Sequence, residues 1–321
     1  MAADISFASF NLYNFQKAGL TTYTSTPISQ KEYQGKRDWI RRLLIEVDAD
    51  IVVFQELWHK DALDDVLSVA ELSGYRTQYI ADRWYNIAVA MIVRAPWQIT
   101  SAEVIKKFPF TKLVKLDEGD GEDDEVSVSI DQFSRSIIKA QVAHSSDRNT
   151  PPFTLYACHL KSKLPARVTR LPSHYRSAIG SALSTIRRTA EATALRMMLI
   201  DQLRGSNTPV VVIGDLNDDP LSNTLSLITD QPTLSNRARG ADRSLYSTLF
   251  FQQLKSFRDV YYTHEHNSHK GVLDHILVSE EFFEYSQDMI WKHQDTRIWN
   301  DHIDDDNPYR TDHGIIRSSF R

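Results

Sequence analysis

Short, nearly continuous apolar runs recur along this chain and stop at polar residues. Ile5 to Phe10 alternates apolar and small side chains and halts at Asn11. Asp50 to Gln55 encloses the run Ile51-Val52-Val53-Phe54, the signature of a strand buried on both faces, and leads into Glu56. Ile87 to Val93 reads the same way. Phe153 to Cys158 runs into His159, Pro209 to Ile213 into Gly214-Asp215, and Val272 to Val278 carries Asp274 and His275 within it. Trp97 to Phe108 and Ser134 to Ala143 read as strands on either side of an acidic loop, Asp117 to Glu125. Phe257 to Tyr262 and Gly314 to Ser319 read as further strands. Trp39, Ile40, Leu43, Leu44 and Val47 recur at helical spacing within Lys31 to Val47. Helices are also predicted over Lys60 to Leu72, stopped by Gly74, over His174 to Leu203, and over Leu221 to Ile228.

Strands outnumber helices and no repeat or linker divides them. This predicts one α/β domain spanning residues 1–321, with two stacked sheets and helices outside. A chain of 321 residues with 41% hydrophobic and 25% charged positions can build such a core. The net charge of −5 argues against a protein that coats nucleic acid by bulk positive charge. Cys158 is the single cysteine, so no disulfide can form within the chain. No apolar run reaches the roughly 18 residues of a membrane span. The N-terminus reads as a strand rather than a leader. The expectation is a cytoplasmic monomer, or a secreted one if a leader was removed.

The polar stops share a restricted chemistry. Carboxylates suit Mg²⁺, which bridges substrate phosphates and polarises them. A further carboxylate can orient or deprotonate an attacking water. Asn amides donate to phosphate oxygens, and a His held protonated by a carboxylate stabilises developing negative charge. Such residues at strand ends, where ligand sites gather, point to hydrolysis of phosphate esters. Alternation sets His275 opposite Asp274 and reads it as a structural or surface histidine. Asp218 and Asp219 read as turn or cap residues.

With Asn11, Gln55-Glu56, HLKSK at His159 to Lys163, GDLND at Gly214 to Asp218, LDHILVS at Leu273 to Ser279 and TDH at Thr311 to His313 in order, the chain resembles the endonuclease/exonuclease/phosphatase superfamily. The resemblance spans nearly the whole chain and implies a four-layered α/β sandwich. It implies Glu56 as the main metal ligand, with Asn11 and Asp312 close to the metal. Asp215 would align or activate water, Asn217 would bond the phosphate or water, and His313 would bind phosphate with Asp274 as its partner. His159 matches the histidine of pancreatic-type deoxyribonucleases, sphingomyelinases and inositol-phosphate phosphatases. Exonuclease III and abasic-site endonucleases carry a Tyr- or Pro-containing segment there. Arg135 falls where relatives often carry a phosphate-facing Arg. Lys161 and Lys163 alternate along an extended segment, so one can face a phosphate.

The leading reading is a Mg²⁺-dependent nuclease acting on nucleic acid, with Mn²⁺ as the alternative ion and Ca²⁺ ranked below both. The runner-up is a phosphatase or phosphodiesterase for a lipid or inositol-phosphate headgroup, for which WYNI at 84–87 would be an apolar loop. An inactive binding module ranks last. Arg167, Arg170, Arg176, Arg187, Arg188 and Arg196 form a basic region that could meet nucleic acid or simply face solvent. The triplet His264, His266 and His269 reads as a surface loop, and the acidic run Asp301 to Asp306 lies near the active-site strand end with neither a metal contact nor a substrate-repelling role assigned to it.

Overall fold

The computed structural model describes residues 2–79, 87–115, 126–258 and 260–321. The acidic loop Asp117 to Glu125 and residues 84–86 of WYNI lie outside them. Numbered along the chain, the strands are β1 (Ile5–Phe15), β2 (Ile51–Leu57), β3 (Tyr75–Tyr79), β4 (Ala88–Arg94), β5 (Trp97–Lys107), β6 (Leu113–Lys115), β7 (Val126–Val128) and β8 (Gln132–His144). They continue with β9 (Phe153–His159), β10 (Val210–Asp215), β11 (Tyr246–Ser247), β12 (His264–His266), β13 (His269–Gly271), β14 (Asp274–Val278), β15 (His293–Trp299) and β16 (Ile315–Phe320). The helices are α1 (Gln30–Val47), α2 (Lys60–Leu67), α3 (Ser173–Leu203), α4 (Asn223–Thr229) and α5 (Thr248–Gln253).

Two six-stranded mixed sheets result, ordered β15-β16-β1-β2-β4-β3 and β11-β14-β10-β9-β8-β5. Each is built on a central parallel pair, β1 with β2 and β9 with β10, flanked by antiparallel neighbours. The continuous apolar runs are explained by burial on both faces. Phe7, Ile51 and Val53 point into the core between the sheets, with Leu155, Val211, Ile213 and Ile276 opposite. Their neighbours Ala8, Phe10, Val52 and Phe54 pack outward beneath α1 and α2. In the second sheet Tyr156, Cys158, Val210 and Val212 pack beneath α3 and α4. Three apolar layers thus hold four layers of structure together.

The expected strand over Phe257 to Tyr262 does not form: its described residues are an irregular link. Val260 and Tyr262 are buried there while Phe257 and Tyr261 are exposed. The alternation is present, but those residues pair with no strand. The expected helix Lys60 to Leu72 breaks after Leu67 into a 3₁₀ turn, Ala70–Leu72. β1 and β2 run past their expected polar stops, so Asn11 and Glu56 sit inside strands. α1 opens on a capping box between Ser29 and Glu32.

Candidate active site

The carboxyl ends of the two parallel pairs converge. In open parallel sheets that is where ligands bind, and here Asn11 and Glu56, in the C-terminal halves of β1 and β2, meet His159 and Asp215, the last residues of β9 and β10. Register adds a fifth group, because Asp215 pairs with His159 on one side and with Asp274 on the other. Gly214 makes the close β9–β10 approach feasible. Its φ is +151°, and a Cβ there would lie 1.9 Å from the Cys158 carbonyl oxygen.

Asp215 is the hub. Its Oδ2 accepts from Asn11 Nδ2 at 3.2 Å and lies 3.5 Å from His159 Nε2 and 4.0 Å from His313 Nε2. Its Oδ1 accepts from the Asn217 backbone N–H at 2.9 Å. Burial pushes Asp215 up to about 7, helped by the Asp274 and Glu56 charges and opposed by His313. Burial would lower His313, but Asp274, 2.8 Å from its Nδ1, outweighs that and drives it up to about 10. His159 is held well below the usual imidazole range by burial and the positive charges of Arg135, His313 and Lys161. One imidazole is therefore charged and the other neutral on either side of one carboxylate.

Glu56 and Asp312 form a second focus. Burial raises Glu56, and the nearby Asp312 charge adds to this while His313 opposes it. Glu56 adopts φ +59°, beside Tyr13 at +48° and Asn14 at +57°, and its Oε2 accepts from the Asn14 N–H at 3.0 Å. Asp312 Oδ1 is buried without a hydrogen-bond partner. Two carboxylates, one feeling the other's charge and one with an orphaned buried oxygen, fit a hard divalent cation. Asn11 spends its Oδ1 on the Tyr13 N–H, and its side chain hydrogen-bonds both Asp215 and Glu56, so it links the two foci. Sequence reasoning passed over Lys36, on α1. It donates to the Arg310 carbonyl and is pushed down to about 8 by burial, against the pull of Asp312 and Glu56.

Arg135 is anchored on the Leu160 carbonyl at 2.9 Å, which also accepts from Asn217 Nδ2 at 3.1 Å. With Ser134, Lys161, Tyr23 and Ile87 it lines a cavity of about 240 Å³. Lys161 reaches this cavity while bonding Ser162 and Leu164. Lys163 instead pairs with Asp218 and Asp219. Of the basic region, Arg188 and Arg196 turn inward to Asp218 and Asp230, which removes them from any phosphate-facing surface. His275 is buried with Nε2 2.9 Å from the Asp218 carbonyl. Glu191 on α3 was hidden in a helical pattern. It is fully buried and accepts from the Lys161 and Ser134 N–H groups at 2.7 and 2.8 Å.

The histidine triplet is not a loose loop. β12 and β13 pair as a hairpin, and His264 bridges to His313 with ring centroids 4.8 Å apart. Among the described residues, two groups bring ligand atoms within 4.8 Å of one another: His264, Asp312 and His313, and Asp215, Asp274 and His313.

The solved structures this chain resembles include the human Nocturnin catalytic domain with bound sulfate, at 15% identity and TM-score 0.61, covering 100% of this chain and 95% of that one. D. rerio TDP2 complexed with single-strand DNA product shares 15% identity at TM-score 0.58, covering 99% of each chain. A mannosyl-6-phosphatase of Bacteroides thetaiotaomicron shares 14% at TM-score 0.57, again covering 99% of each. At such identities the likeness is one of fold. No curated protein sequence matches the chain. The pattern of the Endonuclease/Exonuclease/phosphatase family matches residues 8–313. The chain belongs to that family.

Proposed function

We propose that this protein is a divalent-metal-dependent nuclease that cleaves phosphodiesters by in-line attack of water. The observation that carries the reading is the placement of Asp215, a buried carboxylate 3.5 Å from His159 Nε2 and 4.0 Å from His313 Nε2, whose pKa burial raises. A base with a pKa near working pH combines availability with driving force. Asn11 and the Asn217 N–H fix its two oxygens, so it can orient a water or take its proton. His313, kept cationic by Asp274, donates to a phosphoryl oxygen as negative charge builds. Neutral His159 can donate a hydrogen bond to the leaving oxygen. Water's oxygen forms the new P–O bond while Asp215 takes its proton, the bond to the leaving oxygen breaks, and that oxygen takes up a proton from solvent. A cation held by Glu56 and Asp312 would polarise the phosphoryl oxygens, and Mg²⁺ suits that oxygen-donor set.

The cavity around Arg135 and Lys161 supports a substrate extending beyond one phosphate. The DNA-complexed structural relative favours nucleic acid. The mannosyl-6-phosphatase relative favours a second reading, a phosphomonoesterase. The discriminating experiment is a panel of single- and double-stranded DNA, RNA, sphingomyelin, inositol phosphates and mannose 6-phosphate, with Mg²⁺ or Mn²⁺ and an Asp215→Ala control. Cleavage of polynucleotide that the control lacks is expected. Turnover of the monoesters alone would overturn the nuclease reading, and full activity in Asp215→Ala would overturn the mechanism.

A further inference from the structure

The β12–β13 hairpin is built as a rigid arm beside the site. Its two turn residues, Asn267 and Ser268, have φ of +50° and +64°, the left-handed pair that two-residue hairpin turns demand. Its root is fixed by Thr263, which is wholly buried. The Thr263 carbonyl accepts from Gly314 N–H, and its Oγ1 accepts from the Leu273 and Asp274 N–H groups at 2.9 and 3.2 Å. The hairpin is thus tied to both Asp274 and the segment carrying His313.

His264 and His266 are two apart on β12, so they leave it on the same face. Their rings are within 17° of parallel, with centroids 6.4 Å apart. That spacing falls slightly short of twice the roughly 3.4 Å rise between stacked bases, so a small outward swing of the exposed His266 ring would admit one planar ring between the two. The inner wall, His264, stands 4.8 Å from the His313 ring.

We propose that His264 and His266 form a stacking slot for the nucleobase next to the scissile phosphate, which makes single-stranded nucleic acid the preferred substrate. The proposal rests on the nuclease reading above. Bases in a duplex are paired and stacked on their neighbours, whereas single strands offer free faces to aromatic platforms. The slot selects for a flat substituent without reading a hydrogen-bonding edge, so it implies little sequence preference.

The test uses short single strands carrying one cleavable phosphodiester among methylphosphonate linkages, with the adjoining nucleotide either normal or abasic. On the normal strand, His266→Ala should raise KM about tenfold, within the range for loss of one base stack, with kcat nearly unchanged. On the abasic strand the same substitution should change nothing. His266→Phe should keep the wild-type KM. An equal loss on both strands, or no loss on either, would overturn the slot, as would rescue by His266→Gln but not by Phe. A wild-type enzyme that leaves every strand intact would overturn the nuclease reading itself, a result distinct from normal cleavage with an indifferent His266.

Discussion

His313 Nδ1 lies 2.8 Å from Asp274 Oδ2, a bond between a residue just ahead of β16 in one sheet and the first residue of β14 in the other. The Asp274 carboxylate, wholly buried, keeps the imidazole charged and fixes its plane. Asp274→Asn retains the shape and removes the charge. It should lower kcat by about 10²- to 10⁴-fold with little change in KM, while the far-ultraviolet circular dichroism stays native. A loss confined to KM would instead place the pair in substrate binding.

Removing the metal with a chelator should abolish turnover, and adding Mg²⁺ back should restore it. Glu56→Gln replaces one of two carboxylates beside the proposed cation. The Mg²⁺ concentration for half-maximal rate should rise at least roughly tenfold, as loss of a charged oxygen ligand demands. Titration calorimetry of metal binding to the variant checks this independently of catalysis.

Much of this site is legible in the sequence because burial on both strand faces leaves apolar runs, against which Glu56, His159 and Asp215 stand out as breaks. Those breaks mark the ends of the central parallel strands, where two sheets bring their functional groups together. Other parts are masked by their surroundings. β15 reads His-Gln-Asp-Thr-Arg-Ile-Trp and lies at a sheet edge, with polar side chains outward on one face. Its apolar content is too low to announce a strand. Arg188 looks like any solvated helix residue until its partner Asp218, 30 positions on, is known. His264 is placed by Thr263 and Gly314, contacts made across the fold that spacing along the chain does not encode.

Glu191 ties two strand ends from behind, accepting from the Lys161 and Ser134 N–H groups with Arg187 Nε 3.4 Å away. Glu191→Ala would leave two backbone donors without partners. Urea unfolding should show a loss of about 2–4 kcal/mol. Activity should fall as well, because Arg135 and His159 adjoin the freed groups. Glu191→Gln, which keeps an acceptor oxygen, should lose clearly less.

His293 lies away from the site, between Phe251 and Phe320. Its Nδ1 lies 3.1 Å from Lys255 Nζ and its Nε2 2.8 Å from Thr296 Oγ1. Burial first, and then the Lys255 charge, push its pKa down to about 4, against a weaker pull from Asp295. Because the folded value lies below the unfolded one of about 6.5, the unfolded chain takes up the proton first as pH falls. The contribution of His293 is fully present above about pH 6.5 and is lost progressively toward pH 4, by about 3 kcal/mol in all. Urea midpoints measured between pH 7 and pH 4.5 should fall less steeply in His293→Gln than in the wild type.

The left-handed backbone at Glu56 has a consequence for how this protein can evolve. A non-glycine residue at φ +59° carries about 1–2 kcal/mol of strain, which the surrounding strands must hold in place. Selection for stability alone would put glycine there, and selection for catalysis keeps the carboxylate. Glu56→Gly should therefore melt at or slightly above the wild-type temperature while losing metal-supported turnover. Position 56 is then a point of conflict between durability and chemistry, and an inactive descendant of this chain would be expected to lose its glutamate there early.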